Sequence, residues 1–69
     1  MAVDICKLVG RRVRAARRAK GWTQQILADH AELTREHINR IEDGSKEMGI
    51  RTLQRVAEAL GKTAKDLLD

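Results

Sequence analysis

The twelve residues LTREHINRIEDG, Leu33 to Gly44, gather side chains suited to reading a polar surface. Ile38 and Ile41 fall on one side of a helix, and Gly44 follows where a helix would stop. The other side carries Arg35, Glu36, Asn39 and Arg40, none of them obviously paired within the segment. An arginine fork matches the O6 and N7 edge of guanine, and a carboxylate accepts from the N4 amine of cytosine. The chemistry on offer is therefore hydrogen-bond recognition rather than bond breaking. Burying each isoleucine contributes about 1.5–3 kcal/mol, which turns the polar side outward. A helix so held can enter a DNA major groove, about 12 Å wide.

Each residue of that face has a second reading. Arg35, in the first turn, is the leading candidate for a bidentate guanine contact; otherwise it is a solvated arginine. Glu36 either meets a cytosine or is an acid favoured by the helix dipole. Thr34 caps the helix and is placed to touch a thymine methyl or a phosphate. Arg40, about one turn beyond Glu36, reaches a base or the backbone, and Asn39 divides between contact and solvation.

The rest of the chain bounds what this face can serve. Sixty-nine residues make one domain, 1–69, close to the size below which folding needs disulfides or metal. A deep catalytic cleft is hard to build from so little. The formal charge of +4 is uneven: residues 1–40 hold nine Lys and Arg against four Asp and Glu, and residues 41–69 hold five against six. The first half thus expects an anionic partner. Cys6 is the single cysteine, so no internal disulfide forms, and it reads as a small buried residue on the first helix in a reducing cytoplasm. A zinc site from Cys6, His30 and His37 would lack a fourth ligand, so no metal is expected. No phosphate-cradling glycine loop or nucleophile–base pair stands out, so neither an enzyme nor a cofactor is expected. No apolar run nears the ~20 residues that span a bilayer, which predicts a soluble, cytoplasmic protein without membrane contact.

Proline is absent and helix formers dominate, which predicts an all-α fold. The first helix spans about Asp4 to Lys20, with Ile5, Leu8, Val9, Val13 and Ala16 as its apolar stripe and Gly21 at its end. Thr23 caps a second helix, QQILADHA, with Ile26, Leu27 and Ala31 inward. Thr34 caps the third, to about Asp43, closed by Gly44. A polar loop leads to a fourth helix from about Ile50 to Leu60, with Leu53, Val56, Ala57 and Leu60 inward. Thr63 and Asp66 open a short fifth helix bearing Leu67 and Leu68. Helices two and three are too short to persist alone and cross steeply over a brief turn, so Ala28 must be small where they meet.

The stretch TQQILADHAELTREHINRIEDG resembles the helix-turn-helix of the lambda-repressor and Cro family, the xenobiotic-response-element type. Thr23-Gln24, Leu27-Ala28, Thr34-Arg35 and INRIEDG carry the resemblance, and RTLQRVAEALG with KTAKDLL is similar to the family's fourth and fifth helices. It covers about residues 10–68 and implies a compact five-helix, lambda-repressor-like domain. The length of the loop from Gly44 to Ile50 resembles the controller proteins of restriction–modification systems, a branch of the family. Glu32 departs from the pattern, which prefers glycine there at positive φ; the cost is about 1 kcal/mol or more, or another turn geometry.

The resemblance assigns further roles. Gln24, at the start of helix two, is expected on a phosphate oxygen, as are Ser45, Lys46 and Thr52 around the loop. His37 occupies an aromatic position near DNA in the controller branch, with packing against helix two the alternative. The family's pairing of an arginine in helix one with a glutamate ending helix three implies an Arg17–Glu42 ion pair. The partners implied are double-stranded DNA, bound to an approximately palindromic operator by a homodimer, and RNA polymerase beside the promoter. Met48, Ile50, Leu67 and Leu68 are candidates for the two-fold contact or for plain core. The rival functions are an antitoxin using the same fold to bind a toxin, and an adaptor bundle with no nucleic-acid role.

Overall fold

The computed structural model describes residues 4–45 and 47–69, and the main elements are five helices with no strand among the described residues. Helix α1 runs Ile5–Ala19, α2 Gln24–Ala31, α3 Arg35–Asp43, α4 Ile50–Ala59 and α5 Ala64–Leu68. Most starts are fixed by a side-chain oxygen that satisfies otherwise unpaired amides. Asp4 accepts from the amides of Cys6 and Lys7, Thr23 from Ile26 and Thr34 from His37. Thr63 and Asp66 cap α5 reciprocally: the Asp66 amide donates to Thr63 Oγ1 at 3.3 Å and the Thr63 amide to Asp66 Oδ2 at 2.9 Å. Helix α4 starts at Gly49 with no side-chain cap.

The turn between α2 and α3 keeps the left-handed geometry despite its residue type. Glu32 sits at φ 58°, ψ 42°, and the Leu33 amide returns to the Ala28 carbonyl at 2.9 Å. The non-glycine cost foreseen for this position is therefore carried, and the turn stays tight.

One core runs through the helices. Val9, Val13 and Ala16 of α1 meet Leu27, Ala28 and Ala31 of α2, Ile38 and Ile41 of α3, Val56 and Ala57 of α4, Leu60, and Leu67 of α5. Helix α3 packs on α1 and α2, α4 on α2, and α5 on α1 and α4. Three expectations change. Ile26 is 39% exposed rather than inward, because at 3.6 residues per turn it lies about 140° around α2 from Ala31. Ile5 is half-exposed at the open end of the stripe, and Cys6 is half-buried rather than enclosed. Leu67, at 1% exposure, belongs to the core.

Candidate nucleic-acid interface

Three supports fix α3. The first is the pair Ile38 and Ile41, buried against the other helices. The second is a close backbone crossing with α1. A Cβ built on Gly10 would collide with the carbonyl oxygen of Ile41 and lie 2.7 Å from that of Glu42. One built on Gly44 would lie 2.8 Å from Lys7 Cα, and Gly44 also holds φ 71° as it closes α3. Glycine at both positions lets the two helices touch.

The third support is polar. The Glu42 side chain is buried, with Oε2 accepting from Arg17 Nε at 2.6 Å. Its Oε1 accepts from Arg17 Nη2 at 3.0 Å, Gln24 Nε2 at 3.1 Å and Arg14 Nε at 3.4 Å. Arg17 Nη1 also donates to the Trp22 carbonyl at 2.7 Å. One carboxylate thus joins α1, the start of α2 and the end of α3. Burial pushes the Glu42 carboxyl up, but donation from Arg17 and Gln24, the Arg17 charge and donation from Arg14 outweigh it and hold it below its ordinary value. Hydrogen bonding to Glu42 raises the Arg17 guanidinium against the opposing effect of burial.

With those supports in place, the N-cap Thr34 and, on α3, Arg35, Glu36, Asn39 and Arg40 are all exposed. Glu36 and Arg40 do pair within the segment, one turn apart, at 2.7 Å. Such an exposed pair is worth only about 0.3–0.5 kcal/mol, so it orders the two side chains without tying them up. Thr34, Glu36, His37 and Arg40 line a shallow depression of about 200 Å³, and His37 is half-buried. Arg35 stands exposed at the first position of the helix.

The backbone-contact candidates are less uniform. Gln24 spends its carboxamide N–H groups inside the protein, on Glu42 and, at 3.3 Å, on Asn39 Oδ1. Ser45 is exposed just after α3, its amide donating to the Arg40 carbonyl at 3.2 Å, and Thr52 is half-buried in the first turn of α4. Lys46 lies outside the described residues. Of the apolar candidates, Ile50 is 88% exposed, Leu68 is exposed, and Met48 is half-buried beside the core.

Sequence reasoning missed four contributors. Gly10 had a signal, since a glycine inside a helix costs about 1 kcal/mol against alanine and so asks for a packing reason. Arg14 lies three residues before Arg17 and so shares its face. The Gln24 link to Glu42 had no local signature. Nor had the stacking of His30 on Trp22, with ring centroids 4.5 Å apart and planes within 3°, and Lys20 Nζ 5.0 Å from the indole centroid.

Comparison with known proteins follows the same lines. A family model for a helix-turn-helix domain matches residues 10–69. Over 70 aligned residues the chain is 36% identical to the control protein C.BamHI of Bacillus amyloliquefaciens, covering 100% of this chain and 86% of that protein. It is 37% identical over 51 residues to the competence pilus inhibition repressor of Acinetobacter baylyi, but that match spans 74% of this chain and only 46% of the longer repressor. The crystal structure of the restriction-modification controller protein C.AhdI from Aeromonas hydrophila superposes with a TM-score of 0.87 at 29% identity, covering 90% of this chain and 94% of that one.

Proposed function

This chain belongs to the helix-turn-helix domain family, and on that premise we propose that it is a sequence-specific DNA-binding transcriptional regulator. It works in the cytoplasm as a homodimer on an approximately palindromic operator. The observation that carries this reading is the α3 face: polar, exposed, and held rigidly from behind by Glu42 and the Gly10 crossing. In this reading α3 lies in the major groove. Arg35 reads a guanine, Glu36 accepts from a cytosine, and Thr34, Asn39, Arg40 and His37 complete the contact. Ser45, Lys46 and Thr52 hold phosphates, which position the domain without reading sequence. Gln24 adds its backbone amide at the start of α2, while its side chain steadies Asn39.

Pairing follows from the apolar surface left over. Leu68 is exposed where a small groove of about 90 Å³ opens between Ile5, Cys6, Met48 and Leu68, and the exposed Ile50 borders a separate groove with Gln54 and Ala57. A domain this small gains stability by covering such a patch with a second copy. A protomer of 35 × 21 × 21 Å is of a size to set two α3 helices about 34–36 Å apart, one turn of DNA. Regulation follows from covering a promoter or touching RNA polymerase beside it.

Selection of bound sites from random duplexes tests this directly. A two-fold consensus with half-sites one turn apart is the expected result. The observed affinity should also fall with salt at a log–log slope near −5 for six phosphate contacts, at about −0.9 per contact. No consensus, or a nearly flat salt response, would remove the reading.

A further inference from the structure

Helix α1 serves two neighbours. Arg14 and Arg17 turn toward α3, whereas Arg12 lies about 140° around the helix from Arg17 and faces the α4–α5 junction. An open groove of about 530 Å³ lies there. Its α1 wall is Ala15, Ala16 and Ala19, a smooth apolar floor, and its rim is Arg12, Lys20, Lys62 and Asp66. Nothing in the DNA-reading face uses these residues.

The rim is unbalanced. Three cations face one carboxylate, and that carboxylate already accepts from the Thr63 amide. No salt bridge among the described residues engages Arg12, Lys20 or Lys62, and Lys20 Nζ lies over the Trp22 indole face, 5.0 Å from its centroid. The nearest arrangement is electrostatic, with Lys62 among the influences that lower the Asp66 carboxyl, after the bonds from Thr63. Arg12 Nη1 is buried and has no hydrogen-bond partner among the described residues. An unmet donor on a charged group is costly, and such groups in folded proteins ordinarily have a partner.

We propose that this groove binds a small phosphate monoester, its head on Arg12, Lys20 and Lys62 and its apolar body on the alanine floor. The charge fits: the rim's net +2 matches a phosphate monoester of about −1.5 to −2 at neutral pH, and exceeds what a single carboxylate would balance. The guanidinium geometry fits phosphate oxygens, and the lysines supply mobile point charges. The volume lies within the range of about 300–1,000 Å³ found for small-molecule sites. The floor distinguishes an ester from inorganic phosphate, which has no body to bury.

Amide and arginine side-chain NMR shifts of the full chain, titrated with phenyl phosphate, inorganic phosphate and benzoate at constant ionic strength set by chloride, test the site. Phenyl phosphate should give saturable shifts at Arg12 Nε–H and at the amides of Lys20, Lys62 and Asp66. It should bind at least tenfold more tightly than either inorganic phosphate or benzoate. Lys62→Gln and Lys20→Gln, both at exposed positions, should each weaken it about tenfold with helix content unchanged. Equal binding of all three anions would overturn the proposal, as would unchanged affinity in both variants. Saturable shifts confined to α2 and α3 would do the same, since they would put the anion where DNA phosphates belong.

Discussion

Replacing Gly10 with alanine sets two effects of known sign against each other. In an isolated helix the change is favourable by about 0.8–1.0 kcal/mol, because alanine loses less backbone freedom. Here the added methyl meets the end of α3. Its carbon would stand 2.7 Å from the Glu42 carbonyl oxygen, where ordinary contact begins at 3.4 Å. The obstructing atoms are backbone, so no side chain can swing aside; α1 and α3 must part by at least about 0.7 Å, the shortfall at Glu42, and by more to clear the nearer Ile41 carbonyl oxygen. Overpacking of this kind costs about 1–3 kcal/mol, with the upper part of the range appropriate to a rigid neighbour. The net loss is then about 1–2 kcal/mol. The whole fold, at about 0.05–0.15 kcal/mol per residue, holds only ~3–10 kcal/mol. Urea and thermal unfolding followed by far-UV circular dichroism should show a midpoint drop of roughly 4–16 °C, at about 4–8 °C per kcal/mol. Ala15→Gly, at an exposed position of the same helix, calibrates propensity alone. A Gly10→Ala protein as stable as the parent, or more so, would show that the crossing does not set the packing of α3.

Four other substitutions probe the reading face, the buried pair and the turn between α2 and α3. Arg35→Ala should relax base preference at one position of each half-site in a binding-site selection, at a cost of about 1–3 kcal/mol, whereas Lys46→Ala should weaken all duplexes alike. Glu42→Gln strands a buried Arg17 and should destabilise by about 3–5 kcal/mol in urea unfolding. The same substitution tests pH dependence. Glu42 titrates below its ordinary 4.5 when folded, so the unfolded chain takes up its proton first, and wild-type stability should fall as pH drops from about 4.5 through the lower folded value. Glu42→Gln should lose stability less steeply across that window, and an identical slope would count against the buried pair. Glu32→Gly should raise stability by about 0.5–1 kcal/mol, because relief of about 1–2 kcal/mol at φ 58° exceeds the added freedom of the unfolded chain; a lower melting temperature would contradict the strain argument.

What the sequence made legible was local. Caps and stops are written in adjacent residues, so Thr23, Thr34, Thr63, Gly21 and Gly44 place the helix ends to within about a turn-quarter, one residue or less. Buried positions followed from periodicity, and Ile38 with Ile41 sufficed to aim α3. What periodicity could not deliver was the angle of the stripe on the eight-residue α2, where Ile26 turns outward, or the point at which the α1 stripe runs past the core, which leaves Ile5 half-exposed. Cross-helix facts were legible only where a family pattern preserved them, as for Arg17 with Glu42. The additional donors to that carboxylate, Arg14 and Gln24, depend on where three helices meet, and no window of sequence records such a meeting. The same holds for Gly10, whose neighbours in space, Ile41 and Glu42, stand far along the chain from it.

The stack of Trp22 on His30 has a practical corollary. With no tyrosine or phenylalanine present, ultraviolet emission from this protein arises from one indole at the bend leading into α2. Protonating the imidazole beside it should dim that emission, and loosening the bend should alter its colour. The molecule therefore comes with its own optical gauge at the shoulder of the motif, and stopped-flow experiments with DNA can watch that shoulder without any attached dye.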